Sequence, residues 1–175
     1  MTTTIKNILD LAWLGAENDH SGENHFDLSA TLIELVEIAA KLAAQKQIKL
    51  TSEVDPGVLI TGREDKINRA ILNIIDNAVK YTPRNKTVSI LLRKKPTKAI
   101  IEIKDTGIGI YENELPHVFE RFYRGSKTAK TFGSGLGLAI AQGIIKAHRG
   151  DIAISSKVGK GTAAVITLPL AHITS

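Results

Sequence analysis

Asn73, Asn77 and Lys80 stand four and three residues apart inside the stretch NIIDNAVKYTP, Asn73 to Pro83. At roughly 100° per residue they fall on one stripe of a helix. Any one of them alone reads as a solvated surface residue. Two amides and an ammonium in line read differently, because asparagine is a mediocre helix former whose side chain competes for backbone hydrogen bonds. Amide oxygens are neutral, hard ligands of the kind Mg²⁺ accepts when it shares its shell with water and phosphate. A lysine one turn on places a point charge within reach of the same phosphates.

Three more stretches carry chemistry. DTGIGI, Asp105 to Ile110, follows an alternating segment, so Asp105 stands at a strand end where it can accept a hydrogen bond from an amine. Gly107 and Gly109 would let the backbone approach a flat ligand closely. GSGLGLAI, Gly133 to Ile140, opens a helical pattern, and a glycine-rich helix start presents free N–H groups and the positive end of the dipole to phosphate. Neither common phosphate loop is present: GKG at 159–161 lacks the Ser or Thr of a P-loop, and no strand runs directly into the glycines as a dinucleotide fingerprint needs. FERFYR, Phe119 to Arg124, reads either as a small cluster pinning a loop or as the source of an arginine for a transferring phosphoryl group.

The elements that must position these residues follow from periodicity. Ile67, Ile71, Ile74, Ile75 and Ala78 recur at helical spacing and predict a helix over 64–80. A second helix runs from a cap at Asp27 or Ser29 to about Gln45, with Leu32, Leu35, Val36, Ala39, Leu42 and Ala43 inward. A third runs from about Leu136 to His148. IKLTSEV, GVLITG, TVSILLRK, AIIEIKD, IAISSKV and TAAVITLPL read as strands. Residues 5–17 carry helical spacing and read as the tail of a longer helix, and 18–25 read as a linker. The stretch from about 111 to 134 is a long loop, which inside a compact domain is usually functional.

Composition narrows the class. The 175 residues, 43% hydrophobic, suit one globular domain, and without cysteine there is no thiolate metal site or disulfide framework. The net charge of +5 is scattered, with no arginine-rich run or aromatic platform, so no nucleic-acid partner is expected; a polyphosphate would suit it equally.

Taken in order, NIIDNAVKYTP, DTGIGI, FERFYR and GSGLGLAI resemble the N, G1, F and G2 boxes of sensor histidine kinases, over Phe26 to about Leu170. The resemblance implies an α+β Bergerat fold: a two-layer sandwich, a mixed sheet covered on one face by helices, with a mobile ATP lid over about 111–134. It places the catalytic domain at 26–171, the end of a dimerisation helix at 1–17 and a tail at 172–175. It implies ATP and Mg²⁺, held by Asn77 with Asn73 on the metal. Lys80 would contact phosphate, Tyr81 would lie beside the adenosine, Asp105 would receive adenine N6–H, and Gly107, Gly109 and Ile110 would line the base pocket. Tyr123 and Arg124 would serve the lid, Arg124 on the γ-phosphate. Gly133, Ser134, Gly135, Leu136 and Gly137 would wrap the phosphates, Leu138 would pack on the base or in the core, and Thr162 would support the adenine through water. Arg124, Lys80 and Asn77 would be the catalytic set.

The family phosphorylates a histidine followed by an acidic residue, and none of His20, His25, His117, His148 or His172 has that setting. Surface or capping roles are expected for all five, with a cation favoured at His148 at its helix end. The acceptor histidine would then lie on a phosphoacceptor domain outside this chain, with a response regulator as further partner. The full-length protein would be a homodimer anchored in the bacterial inner membrane through upstream segments, and this part a cytoplasmic monomer. Related ATPases use a glutamate base one turn before the metal asparagine; here that position is Asn73, which cannot take a proton. A non-catalytic nucleotide-binding module is the other alternative.

Overall fold

A computed structural model describes residues 22–128 and 133–172. Its order is β1 (Asn24–Asp27), α1 (Leu28–Gln45), β2 (Lys49–Val54), β3 (Leu59–Gly62), α2 (Glu64–Lys80), β4 (Thr87–Lys94), β5 (Lys98–Asp105), α3 (Gly137–Ala147), β6 (Asp151–Lys157) and β7 (Gly161–Pro169). Among the described residues of the long loop between β5 and α3 there is one 3₁₀ turn, Leu115–His117.

Five strands form one mixed sheet in the order β2-β4-β5-β7-β6, parallel only between β2 and β4. Strict alternation drives it. Val88, Ile90 and Leu92 of β4 and Ala99, Ile101 and Ile103 of β5 are buried, while their neighbours turn to the other face. The buried face meets Leu28, Leu32, Leu35 and Ala39 of α1, Ile67, Ile71, Ile74 and Ile75 of α2, and Ile140, Ile144 and Ile145 of α3 in one core. Fully burying one such isoleucine contributes roughly 1.5–3 kcal/mol. The helices therefore cover one face of the sheet, as expected. No helix among the described residues is long and apolar enough to cross a membrane.

Local signals settle the helix ends. Asp27 caps α1, its carboxylate accepting from Ser29 N at 2.8 Å. Ser29 is instead buried: its hydroxyl donates to Asp55 O at 2.7 Å and accepts from Val58 N at 3.0 Å, tying α1 to the β2–β3 turn. The linker expected over 18–25 ends sooner than its polarity suggests. Asn24 and His25 belong to β1, which pairs antiparallel with β3 in a separate two-stranded sheet. The remainder of that linker up to residue 21, and the expected helix at 5–17, lie outside the described residues.

His148 takes the capping role expected of it, as the C-cap of α3, but is buried. It is 8% exposed, and its Nε2 accepts from Arg63 N at 3.0 Å while Nδ1 donates to Ile144 O at 2.7 Å. An acceptor at Nε2 requires the neutral ring. The side chain thus joins the C-terminus of α3 to the residue that opens α2, rather than carrying charge at a helix end.

Candidate nucleotide-binding site

Between α1, α2, the β5 end and the loop before α3 lies a cleft of about 690 Å³. Asp105 forms one wall. It is 6% exposed, and its Oδ1 accepts from Gly107 N at 2.8 Å and Thr162 N at 3.2 Å. Among the described residues no donor reaches Oδ2, which leaves that oxygen able to accept a hydrogen bond. Burial pushes the carboxyl above its ordinary pKa, and the two backbone N–H groups partly oppose this.

The glycines around Asp105 act differently from the expectation. A Cβ on Gly107 would meet Asp105 Oδ1 at 2.8 Å, and Cβ atoms on Gly109 (φ +69°) and Gly161 (φ +108°) would overlap the backbone of Lys157 and Asp105. The close approach that glycine permits here is to the protein's own chain. Gly109 and Ile110 also line the cleft, but Gly107 stands behind Asp105 and does not. Thr162 holds Asp105 directly through its N–H rather than only at a distance, and its hydroxyl lies 2.8 Å from Ser156 Oγ. Ser156 also accepts from Ile110 N at 2.9 Å, so it fastens the glycine loop to β6.

Asn73, Asn77 and Lys80 line the same cleft from α2, as their stripe predicts. Asn73 Nδ2 donates to Gly137 O at 3.2 Å, which orients the amide and leaves its oxygen as the atom able to meet a cation. Lys80 Nζ lies 5.2 Å from the Tyr81 ring centre and occupies the place a side chain on Gly133 would need. Burial raises the Tyr81 phenol, with the Arg124 guanidinium acting in the opposite direction.

The loop side supplies Tyr123, Arg124, Gly133, Ser134, Gly135, Gly137 and Leu138, all lining the cleft. Arg124 is exposed and donates to Thr128 O at 2.9 Å. Gly135 O accepts from Phe122 N at 3.0 Å, fixing the start of α3 against the FERFYR turn and leaving the Phe122 ring 60% exposed. Leu136 is the exception. It is 0% exposed, packed into the core, and does not line the cleft. Leu138 does both: it is half-buried against the core and borders the cleft. Residues 129–132 of the expected lid lie outside the described residues.

Residues 62–172 match the family model described as histidine kinase-, DNA gyrase B-, and HSP90-like ATPase. The chain belongs to this family. Its relatives place it among the sensor histidine kinases. Sensor histidine kinase RppB of Synechocystis sp. is 41% identical over 146 residues, 82% of this chain and 32% of the relative. The structure of a mycobacterial sensor histidine kinase, MprB, superimposes with a TM-score of 0.72 at 30% identity, over 86% of this chain and 99% of the other. Full-length ShkA in complex with AMPPNP gives a TM-score of 0.83 at 25% identity, over 98% of this chain and 36% of that one. The kinase domain spans about a third of the length of the curated relatives it matches first.

Four charged cleft residues of the kinase domain escaped the motif reading: Lys46, Asp76, Glu114 and Lys127. Lys46 follows α1 directly and looks, in sequence, like a cation for the end of its own helix. Glu114 lies ten residues before Arg124 and has no spacing that announces it; its Oε1 accepts from Ser126 N at 2.8 Å and Ser126 Oγ at 2.7 Å. Those two donors hold its carboxyl below the ordinary carboxylate pKa. Of the histidines, His25 meets Thr61 and His117 pairs with Glu120 at 2.6 Å, while His20 lies outside the described residues.

Proposed function

We propose that this kinase domain binds Mg·ATP and passes the γ-phosphoryl group to a histidine on a separate phosphoacceptor domain of the same sensor kinase. The observation that carries the reading is Asp105. A buried carboxylate with one oxygen held by two backbone N–H groups shares a cleft with two helix amides and a lysine. That pairing suits a ligand with an amine at one end and phosphates at the other.

In this reading Asp105 Oδ2 accepts adenine N6–H, and Tyr81, Gly109, Ile110 and Leu138 border the adenosine. Lys80, Gly133, Ser134, Gly135 and Gly137 face the phosphates, with Arg124 moving from Thr128 O to the γ-phosphate. The oxygens of Asn77 and Asn73 would hold Mg²⁺, which when bound neutralises charge on the β- and γ-phosphates. The acceptor imidazole nitrogen bonds to the γ-phosphorus as the bond to the β-phosphate oxygen breaks, and ADP leaves. The domain's part is positioning and electrostatic stabilisation. The dimerisation domain and a response regulator are the partners, the full-length protein is a membrane-anchored homodimer, and this domain works on the cytoplasmic side.

Calorimetry tests the assignment. Asn77→Ala should remove the gain in ATP affinity that Mg²⁺ brings while leaving the fold intact, because a merely solvated residue would change stability by only about ±0.5 kcal/mol and binding not at all. Unchanged affinity in Mg²⁺ would sink it.

A further inference from the structure

The last carbonyls of an α-helix have no partner inside it. At the end of α2, Asn77 O accepts from Tyr81 N at 3.0 Å and Ala78 O from Thr82 Oγ1 at 2.6 Å. The next two carbonyls are both taken by one group from another helix. Lys46 Nζ donates to Val79 O at 2.7 Å and Lys80 O at 2.9 Å, and to Thr82 O at 3.0 Å. An ammonium has three protons, and here each meets a carbonyl. Its charge also stands at the negative end of the α2 dipole.

We infer that Lys46 is a positioning residue for the phosphate-facing part of the site. Although it borders the cleft, its donors are committed to the last two carbonyls of α2 and to Thr82 just beyond the helix. By closing the final turn it fixes where Asn77, Lys80 and Tyr81 project. The constraint continues beyond the helix: Tyr81 O accepts from Ile108 N at 3.2 Å, so the closed turn also seats the loop after Asp105. A free lysine on the α1 surface would leave two α2 carbonyls to water and let the turn fray. Asp105 stands on β5, and its own hydrogen bonds come from Gly107 N and Thr162 N rather than from the end of α2.

The inference rests on the reading that Asn77 and Lys80 face phosphates, and it separates two ligands. Lys46→Met keeps the stem and removes the donors; Lys46→Arg keeps charge and donors. With Met, Mg·ATP affinity should fall about tenfold and adenosine affinity by a clearly smaller factor, because Tyr81 and the loop after Asp105 border the adenosine while Asp105 keeps its own hydrogen bonds. Exchange of the Tyr81 amide should accelerate, and Arg should recover most of both effects. Equal losses for the two ligands, unchanged Mg·ATP affinity, or no recovery with Arg would overturn the role. Should the Met variant not fold, Lys46→Gln, which loses the charge and one donor and shortens the stem, should give the same order of losses to a smaller extent. Failure of the unmutated chain to bind Mg·ATP would overturn the site reading and this role with it; normal binding by both proteins would overturn this role alone.

Discussion

Asp105 Oδ1 is held by Gly107 N and Thr162 N, and among the described residues no donor reaches Oδ2. A carboxylate can only accept, which matches the amine of adenine and repels the carbonyl of guanine. Asp105→Asn should weaken adenosine by roughly 1.5–3 kcal/mol, the cost of losing a charged acceptor, and narrow the preference over guanosine. Equal binding of the two nucleosides by the unmutated chain would refute the assignment. The same side chain sets a pH dependence. Burial raises its folded-state pKa, so the folded protein holds the proton to higher pH than the unfolded chain does. Its contribution to stability is therefore largest below the ordinary carboxylate pKa and falls as pH rises through the raised value. Ligand binding runs the other way: adenosine needs the carboxylate, so its affinity should climb across that window. A titration of adenosine affinity should show this rise in the native chain and a flat profile in Asp105→Asn.

Glu114 and the FERFYR turn belong together at the scale of elements. The carboxylate receives both donors of Ser126, and Tyr111 faces Lys127 across 5.1 Å, so the segment after Arg124 is tied back to the start of the long loop. Glu114→Ala should speed amide exchange at Ser126 and Thr128 and leave the α3 amides unchanged; equal rates in both proteins would contradict the tie. Across residues 111–128, exchange should be fast without ligand and slowed by nucleotide, because few apolar contacts hold them. Protection matching that of α3 would argue against a lid. Such pairings show where sequence stops being legible. The helix at 64–80 and the strands at 87–94 and 98–105 were readable because their apolar residues repeat at 3.6 and 2. β1 was not, since a four-residue strand with Phe26 as its one large apolar side chain has no period. Lys46 and Glu114 were hidden for a different reason: their partners lie on other segments, and nothing local marks a cation for a neighbouring helix.

In the proposed function the whole molecule supplies the donor half of a reaction. The motif residues were legible and converge on one cleft, apart from Leu136 in the core and Gly107 behind Asp105. Among the described residues no histidine joins them: His148 is held between two helices, and His117 is paired with Glu120. Transfer needs an acceptor nitrogen in line with the γ-phosphate, and such positioning can supply roughly 7–11 kcal/mol of the barrier. Incubation with γ-labelled ATP should therefore leave this chain unlabelled, while an added phosphoacceptor domain from the same kinase should gain base-stable, acid-labile phosphate. Acid-labile phosphate on the chain alone would overturn that division of labour.

Gly109 and Gly161 fit their backbones into spaces where any Cβ would overlap the neighbouring chain. A library of all single substitutions, selected for kinase output, would register these positions as forbidden as firmly as Asp105. The intolerance would arise from the chain's own folding around the carboxylate, not from anything bound to it. A map of depleted variants drawn on this fold would outline a patch larger than the ligand footprint, with its excess lying on the β6–β7 side. The two kinds of position separate only when abundance is scored beside activity: substitutions at the glycines lower both, whereas Asp105→Asn lowers activity in a protein that still accumulates.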